Sequence, residues 1–299
     1  MDKIEIPEFL KNKFLRYYGE ELTKKIIEGF NETRKTTLRI NKIKYNANDL
    51  EEYFKSNGIE YEKGIVDGAY IILNKSANDL YNTSIVENGY VYLQSLSSML
   101  PPIYLDPKEN EIILDMAAAP GGKTTQIASM TNDKSQITAI EKDKIRCERL
   151  KYNINKQGIK NTFVMNQDAK NLDDFFSFDR ILLDAPCSGS GTIYTGLDAK
   201  PLKISEQLVV NSAKIQLTLL KKALKILKKG GTMIYSTCSI LKEENEEILK
   251  KALPGSGCEI VPIEANDLPV LPSTINGVIT VMPTNEYEGF FVAKIIKTK

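Results

Sequence analysis

The spacing of apolar and polar residues divides the chain into two regions. Before residue 90, helical spacing from about Pro7 to Phe30 is followed by a strand pattern in TTLRINKIK and by the helix pattern NANDLEEYFKSNG, which ends at Gly58. Short strand patterns follow in IVDGAYIIL and GYVYL. Residues 1–90 are therefore predicted to form a small α+β domain.

Beyond Pro101 and Pro102, strand and helix patterns alternate along the chain. The predicted strands are EIILDMAAAP, QITAIE, NTFVMNQD, FDRILLDAPCS, TMIYSTCS, GVITVMP and GFFVAKII. Predicted helices start near Lys123 and Asp143, and a long third helix spans Ser205 to Lys229 and ends at Gly230 and Gly231. Such alternation predicts an α/β fold over residues 91–299, with a mostly parallel, doubly wound sheet that a terminal hairpin closes.

Composition excludes several classes of protein. The 299 residues contain no histidine, which rules out Ser/His/Asp and Cys/His hydrolases and leaves proton transfer to other side chains. The four cysteines are scattered without a CxxC pair, so we expect no metal site. Neither an apolar run of about 18 residues nor a secretory signal is evident. We expect a cytoplasmic protein without membrane association, and a monomer by default.

A net charge of +1 gives no general attraction to a polyanion, so an RNA-binding hypothesis depends on local clusters. The stretch from Lys11 to Lys44 holds ten basic residues against four glutamates, with Tyr17, Tyr18 and Phe30 among them. This pattern is equally that of a solvated helix face followed by a basic strand. Both readings remain open from composition alone.

The strand EIILD leads into MAAAPGGKTT, a turn of small residues that opens a helix. Ala117, Ala118, Gly121 and Gly122 permit close approach of a ligand, and a helix N-terminus offers free amide donors to a carboxylate or phosphate. The alternative is a turn that merely connects a strand to a helix. Because ligands of open α/β sheets bind beyond the carboxyl ends of the strands, a nucleotide-type site is predicted here.

Acidic residues follow the next two strands. Glu141 lies about 20 residues after the glycine turn, where an acid bonds ribose hydroxyls in dinucleotide folds, and either NAD or S-adenosylmethionine is compatible with it. Lys142 and Arg146 flank this position, although Arg146 is equally compatible with a solvated place on its helix. Asp168 could accept from an adenine amino group or could cap a turn.

Cys187 in LLDAPCSGSGT and Cys238 in IYSTCS each follow a buried strand, so parallel pairing predicts that they face one cavity beside the cofactor turn. Cys147 and Cys258 are read as inert, apolar side chains. A disulfide between Cys187 and Cys238 is disfavoured in a reducing compartment.

Two thiols beside an adenosyl cofactor suit one chemical problem. Carbon 5 of a pyrimidine becomes nucleophilic only after a nucleophile adds at carbon 6, and a thiolate both adds and leaves readily. The proton at carbon 5 must then be removed, and a second cysteine could assist. Asp184 is placed to hydrogen-bond N3 if it is protonated or shares a proton with the base.

Six motifs carry a clear resemblance to a known family: TTLRINKIK, YLQSLSSMLPP, DMAAAPGGKTT, LLDAPCSGSGT, YSTCSILKEENE and EGFFVAKIIK. From about residue 35 to the end, the chain resembles the RNA 5-methylcytosine methyltransferases of the NOL/NOP/Sun type. The resemblance implies a Rossmann-like seven-stranded methyltransferase sheet, an N-terminal RNA-recognition-like domain and an RNA substrate. Because the chain is compact, we prefer tRNA to rRNA as that substrate.

The resemblance also implies roles for individual residues. Cys238 would be the nucleophile and Cys187 would assist product release, with Asp184 and Lys123 as further catalytic residues. S-adenosylmethionine would be bound by Ala117, Ala118, Ala119, Pro120, Gly121, Gly122, Lys123, Glu141, Lys142, Arg146, Asp168, Ala169, Asp184 and Pro186. One departure follows Thr192, where the chain reads IYTGLDAKP and the family commonly has a basic segment containing Asn-Pro.

Three other functions compete with this one. A DNA cytosine methyltransferase typically relies on one cysteine in a PCQ setting, and a nicotinamide oxidoreductase leaves both cysteines unexplained. A non-catalytic RNA-binding scaffold would be expected to have lost a cysteine or the APGGKT turn, and this sequence has all of them.

Overall fold

The computed structural model describes residues 5–196, 199 and 201–299. The chain begins with α1, Glu8–Asn31, which bends at Gly19. Apolar residues of α1, among them Phe14 and Tyr18, pack against Ile193 and Val209 of the C-terminal region. The first helix of the predicted small domain therefore lies on the large domain.

A four-stranded antiparallel sheet follows, in the order β2-β3-β1-β4. Its strands are β1 (Thr36–Ile40), β2 (Tyr61–Lys63), β3 (Ala69–Ile72) and β4 (Val91–Leu93), and its helices are α2 (Ala47–Ser56), α3 (Ala77–Tyr81) and α4 (Ser84–Glu87). The strand predicted from TTLRINKIK thus ends at Ile40. Because β4 pairs with β1, this sheet extends three residues past the expected boundary at residue 90.

Five parallel strands form the centre of the large sheet, in the order β9-β8-β5-β6-β7. They are β5 (Ile112–Asp115), β6 (Gln136–Ile140), β7 (Thr162–Met165), β8 (Phe178–Asp184) and β9 (Leu227–Thr237). Chain order reverses at β5, which has β6 on one side and β8 on the other. This switch point is where a doubly wound sheet binds its ligand.

Antiparallel strands complete the sheet beyond β9. They are β10 (Cys258–Val261), β11 (Val270–Leu271), β12 (Ile279–Val281) and β13 (Phe290–Lys297), and β13 lies between β9 and β12. The predicted terminal hairpin is therefore present as β12 and β13. The sheet has nine strands instead of seven, because the short β10 and β11 add to the edge formed by this hairpin.

Helices cover both faces of the large sheet. They are α5 (Leu96–Leu105), α6 (Gly122–Met130), α7 (Lys144–Lys156), α8 (Glu206–Ile226) and α9 (Glu246–Ala252). Alternating residues of β5 show the two faces, since Ile113 joins the core under α5, α6 and α7 while Leu114 joins the core under α8 and α9. The doubly wound, Rossmann-like architecture is thereby confirmed. No helix in the described part of the chain is long and apolar enough to cross a membrane.

Two element boundaries differ from the sequence prediction. Pro101 and Pro102 lie inside α5 instead of marking a boundary. The long helix ends at Ile226, and Gly230 and Gly231 belong to β9. Leu227 already pairs with β8, and the pairing is irregular before Thr232. Residues that the helical spacing assigned to the helix therefore belong to β9, because they pair with β8.

Candidate active site

The two predicted cysteines lie at the carboxyl ends of adjacent parallel strands. Cys238 directly follows β9, and Cys187 comes three residues after β8. Their Sγ atoms are 3.1 Å apart, and both side chains are free thiols. The hydrogen bond to Cys238, burial and the nearby Glu244 carboxylate hold the pKa of Cys187 well above that of an ordinary thiol. The surroundings of Cys187 therefore favour its protonated form.

A cavity of about 200 Å³ opens at the ends of β5, β6, β8 and β9. The predicted residues that line it are Ala117, Ala119, Glu141, Lys142, Arg146, Asp168, Ala169, Asp184, Pro186, Cys187 and Cys238. Met116, Lys170, Ala185, Ile215 and Leu219 complete the lining. The cysteine pair therefore shares one cavity with the acidic residues predicted to bind a nucleoside.

Within the small-residue turn, Ala117 and Ala119 line this cavity, and cofactor binding by the rest of the turn stays a prediction. Ala118, Pro120, Gly121, Gly122 and Lys123 are not in the cavity lining. A Cβ at Gly122 would meet Tyr92 at 3.2 Å and Gln94 at 3.5 Å, and Gly121 needs its positive φ of 110° at the start of α6. Gly122 thus permits close packing of α6 against the small sheet, whereas a Cβ at Gly121 would meet Leu150 of α7 at 3.0 Å, and sequence spacing shows neither contact.

Lys123 and Asp184 form a shielded ion pair beside the cysteines. The Lys123 Nζ lies 2.7 Å from Asp184 Oδ2 and donates to Ser98 Oγ at 2.8 Å. Burial lowers the pKa of Lys123, but Asp184, assisted by Cys238 and Asp115, raises it above the ordinary value. Lys123 therefore contacts the cavity lining through its ion pair with Asp184.

The Asp184 carboxylate has a second hydrogen-bond donor besides Lys123. Ser236 Oγ also donates to Asp184, at 2.8 Å from Oδ1. An ammonium group and a hydroxyl group thus each donate to one oxygen of this carboxylate. The hydrogen bond of Asp184 to N3 of a bound base stays a prediction.

The acids after β6 and β7 have defined partners. Glu141 is buried, accepts from the Asp143 amide at 2.9 Å and lies 3.4 Å from Arg146 Nη1. Arg146 also donates to the Ala119 carbonyl at 2.8 Å, so its guanidinium joins the cavity wall. Asp168 caps a short 3₁₀ turn and pairs with Lys170 at 3.1 Å; these contacts outweigh burial and lower its pKa. Asp168 both caps that turn and lines the cavity.

Two further buried carboxylates were missed by sequence reasoning. Asp115 ends β5 and accepts from Thr124 Oγ1 at 2.7 Å, while its other oxygen has no partner among the described residues. Burial raises the pKa of Asp115 to about 6. Glu244 lies in the motif YSTCSILKEENE and bonds to residues beside both cysteines, as described below. The motif could have drawn attention to Glu244, but its many acidic residues resemble those of a solvent-exposed helix.

Most of the basic side chains between Lys11 and Lys44 are engaged within the protein. Five form ion pairs: Lys13 with Glu243, Lys24 with Glu28, Lys25 with Glu21, Lys35 with Glu286 and Lys42 with Asp67. Arg34, Arg39 and Lys44 donate to polar groups elsewhere in the chain, largely backbone carbonyls. Eight of the ten basic side chains of this stretch thus have partners within the protein, and Lys24, Lys25 and Lys42 are nevertheless at least half exposed to solvent.

The remaining sequence predictions concern Cys147, Cys258 and the segment IYTGLDAKP. Burial raises the pKa of Cys147 and of Cys258, in keeping with unreactive thiols. Residues 197, 198 and 200 of the divergent segment lie outside the described residues. Of the remainder, Ile193 packs on α1 and the Thr195 amide donates to the Phe30 carbonyl at 2.8 Å.

A doubly wound sheet of this order, with a nucleoside-type cavity at its switch point, defines a Rossmann-like methyltransferase domain. The chain belongs to the RsmB/F family, since the model described as "16S rRNA methyltransferase RsmB/F" matches residues 102–296. This finding confirms the resemblance to RNA 5-methylcytosine methyltransferases.

Individual relatives are consistent with the family. The chain is 36% identical to the probable ribosomal RNA small subunit methyltransferase B of Bacillus subtilis, over 81% of this chain and 54% of that protein. It is 34% identical to the tRNA (cytosine(49)-C(5))-methyltransferase of Pyrococcus abyssi, over 88% of each. A crystal structure of a methyltransferase homologue from Pyrococcus horikoshii, 30% identical, superposes with a TM-score of 0.86 over 98% of this chain and 95% of that one. The chain spans about half the length of several other curated relatives, including two ribosomal RNA small subunit methyltransferases F.

Proposed function

We propose that the protein transfers a methyl group from S-adenosylmethionine to carbon 5 of cytosine in RNA. Cys238 acts as the covalent nucleophile and Cys187 assists product release. The observation that carries the proposal is the pair of free thiols, 3.1 Å apart, in the wall of a nucleoside-type cavity. Membership of a family of RNA methyltransferases supports the substrate class.

The cavity suits the adenosyl cofactor in its donor set. Glu141 supplies a carboxylate at the end of β6, where ribose hydroxyls are bound in related folds. The small side chains of Ala117 and Ala119 allow a ligand to approach the backbone of the cavity wall closely. When bound, S-adenosylmethionine supplies an electrophilic methyl group.

The two cysteines act in sequence on the pyrimidine. The Cys238 thiolate adds to carbon 6, which places electron density on carbon 5 for attack on the methyl group. Removal of the proton from carbon 5 then reforms the double bond and expels the thiolate. Cys187 holds its proton against Cys238 at the outset and assists this last step, directly or through water.

Asp184 and Lys123 give the site a means of distinguishing bases. A carboxylate oxygen of Asp184 accepts from the exocyclic amino group of cytosine, whereas uracil would present an oxygen atom to the same group. Lys123 holds that carboxylate in place through the 2.7 Å ion pair. We therefore assign base recognition to this pair.

Transfer RNA is the proposed substrate in preference to ribosomal RNA. The tRNA enzyme of Pyrococcus abyssi matches 88% of its own length and 88% of this chain. The probable ribosomal RNA methyltransferase of Bacillus subtilis matches over 54% of its length. The tRNA (cytosine(72)-C(5))-methyltransferase of Pyrococcus horikoshii also matches over 54% of its length, so the support for tRNA comes from the Pyrococcus abyssi enzyme, to which this chain is similar over most of its sequence.

The proposal is tested by incubating the protein with methyl-labelled S-adenosylmethionine and tRNA or rRNA transcripts. We expect label in 5-methylcytosine, with loss of incorporation in Cys238→Ala. Cys187→Ala should accumulate a denaturant-resistant adduct of protein and RNA that Cys238→Ala does not form. If the adduct appears only in Cys238→Ala, the roles are reversed, and RNA binding without incorporation by the unaltered protein supports a scaffold instead.

A further inference from the structure

Two loops carry the cysteines, and one buried carboxylate joins them. We call residues 186–191 the PCS loop and residues 237–241 the TCS loop. Glu244 Oε1 accepts from the Ser188 amide at 2.7 Å, and Oε2 accepts from Ser188 Oγ at 2.6 Å. The same Oε2 accepts from Ser239 Oγ at 2.5 Å. Each loop therefore bonds to Glu244 through the residue that follows its cysteine.

Further bonds complete this connection. Ser190 Oγ and Ser239 Oγ are 2.8 Å apart, and the Gly191 amide donates to the Cys238 carbonyl at 3.0 Å. Glu244 is fully buried and forms no ion pair among the described residues. Burial raises the pKa of Glu244, the hydrogen bonds from Ser188 and Ser239 oppose that rise, and the charge that Glu244 carries acts on the neighbouring Cys187 thiol.

The charges around the two cysteines are consequently unequal. The hydrogen bond to Cys238 and burial are the main causes that raise the pKa of Cys187, and the charges of Cys238 and Glu244 add to them. Tyr235 also lies nearby, since the charge of Cys187 raises the pKa of Tyr235. The buried cation of the site, Lys123, is bonded to Asp184, and Cys238 is among the groups that raise the pKa of Lys123. Negative charge thus acts on Cys187, while the cation acts on Cys238.

We propose that Glu244 is a positioning residue that makes the two cysteines unequal, joining the PCS loop to the TCS loop and keeping Cys187 protonated. The Cys187 thiol then donates its hydrogen bond to the Cys238 thiolate. This inference rests on the covalent mechanism proposed above, but it concerns the thiols alone and is testable without RNA or cofactor.

The test measures alkylation of Cys187 by iodoacetamide across pH 6 to 10, with mass spectrometry of the modified peptide. Cys238→Ala is the background, because it removes the coupling between the thiols. Adding Glu244→Gln keeps the size of the side chain but removes its charge, so the pH of half-maximal alkylation should fall by about one unit. Glu243→Gln is the matched control, since Glu243 pairs with Lys13 outside the network, and it should leave that pH unchanged.

An unchanged alkylation profile in folded Glu244→Gln protein would overturn the proposal. If that variant does not fold, the unaltered protein still decides, because Cys238 should be alkylated before Cys187 at neutral pH and the reverse order refutes the inference. A protein that shows the expected thiol behaviour but does not methylate RNA would refute the proposed function and leave this inference standing.

A second inference comes from the face of α7 that is turned towards the small domain. Arg149, Tyr152, Asn153 and Lys156 follow at helical spacing and line a groove of about 580 Å³. Tyr81 and Tyr92 lie on its other wall. A helix face turned towards another domain is ordinarily apolar, whereas this one is basic and aromatic.

The groove has the features of a nucleic acid surface. Tyr81 and Tyr152 are each 64% exposed, and Lys156 Nζ lies 5.8 Å from the centre of the Tyr152 ring. Among the described residues, neither Arg149 nor Lys156 has a carboxylate within ion-pair distance. Asn153 donates to the Pro120 carbonyl at 2.8 Å. The groove therefore adjoins the small-residue turn, whose Ala117 and Ala119 line the cofactor cavity.

We propose that this groove holds single-stranded nucleotides of the RNA substrate. Exposed tyrosines stack on bases, and arginine and lysine neutralise phosphates, as in other single-strand sites. The inference depends on RNA being the substrate. The groove is a candidate RNA surface in addition to the basic stretch of the N-terminal region, most of whose basic side chains have partners within the protein.

The test measures binding of a fluorescent 12-nucleotide single-stranded RNA by anisotropy at several salt concentrations. Tyr152→Ala should weaken binding about tenfold, as loss of one stacked base does. Arg149→Gln should weaken it and reduce the slope of log K against log salt by about one. The matched controls, Phe175→Ala and Lys151→Gln, change an exposed aromatic residue and a basic residue of α7 outside the groove, and should have little effect.

Equal effects of groove and control variants would overturn this second inference. The inference would also be overturned if duplex RNA bound as tightly as the single strand and Tyr152→Ala left the binding of both unchanged. The binding assay contains no methyl donor. If the protein does not methylate RNA, the binding result therefore still stands, and only the proposed function is refuted.

Discussion

Asp115 shows how a single side chain at the switch point can lower stability. The carboxyl is fully buried, and burial raises its pKa from 3.8 to about 6. The folded protein therefore binds a proton that the unfolded chain releases, so this residue favours folding below about pH 4 and opposes it as pH rises through 6. At neutral pH the cost is about 3 kcal/mol.

Asp115→Asn should therefore stabilise the protein at pH 7.5 by up to about 3 kcal/mol, with the gain shrinking at pH 4.5. Urea unfolding of both proteins at pH 4.5, 5.5 and 7.5 measures the difference. A gain of the same size at every pH would mean that removing the charge is not its cause. Such a destabilising group beside a cavity is the pattern expected of a functional residue.

Asp184 and Lys123 make a prediction about catalysis at the same scale. Asp184→Asn keeps the shape of the side chain but leaves the Lys123 ammonium without its 2.7 Å counter-ion. Methylation of cytidine should fall about 100-fold in kcat/KM, as for loss of other preorganised charges, while the Kd for S-adenosylmethionine changes little. Asp179→Asn, on the same strand and paired with Lys228, is the control. A loss confined to cofactor affinity would contradict base recognition.

At the scale of elements, the PCS loop depends on a close backbone contact. Gly191 donates to the Cys238 carbonyl, and its own carbonyl accepts from the Gly289 amide at 2.8 Å. A Cβ at Gly191 would overlap the Gly289 carbonyl, so backbone and not a flexible side chain must move. The loop that holds Cys187 is thus fixed between the TCS loop and the start of β13.

Gly191→Ala should lower the free energy of unfolding by about 3 kcal/mol, because overpacking against backbone relaxes poorly. Chemical denaturation measures the loss. Gly122→Ala is the comparison, since its new Cβ would meet only the side chains of Tyr92 and Gln94, and it should cost about 1 kcal/mol or less. Equal losses would show that the two glycines are under the same constraint.

Sequence patterns predicted what depends on local spacing. Alternating strands and helices gave the sheet, and its parallel strands brought Glu141, Cys187 and Cys238 to one cavity. Contacts between distant segments could not be predicted in this way. Glu244 meets Ser188 across 56 positions, and Gly122 faces Tyr92, so neither role appears in the local sequence. Gly230 and Gly231 resembled a helix end because the pairing of β9 with β8 is likewise non-local.

At the scale of the whole molecule, buried polar contacts hold the small sheet against the large one. Asn41 donates to the Gln157 carbonyl at 2.8 Å, and Gln157 donates to the Val91 carbonyl at 3.2 Å. Within the large domain, Ser97 of α5 donates to the Glu288 carbonyl at 2.7 Å and so joins α5 to the segment before β13. The groove along α7 therefore has walls whose separation is fixed by hydrogen bonds.

Arg39 lies at the centre of this interface and gives the corresponding prediction. Its guanidinium is buried without a carboxylate and donates to Gln94, the Gly122 carbonyl and Thr125 at 3.1–3.3 Å. Burial lowers its pKa to about 10, so the charge itself is costly and the hydrogen bonds offset that cost. Arg39→Ala removes these bonds from both sides of the interface at once.

We expect Arg39→Ala to destabilise the protein by about 2–4 kcal/mol, because it leaves a cavity and unpaired polar groups between the two sheets. Differential scanning calorimetry should show the single transition broaden or divide in two, since the sheets would no longer unfold together. Arg39→Lys keeps the charge but cannot reach all three acceptors, so it should fall between the two proteins. A single, sharp transition in Arg39→Ala would mean that the two sheets unfold together because of the apolar contacts of α5 instead, since α5 packs its own residues into the core of the large sheet.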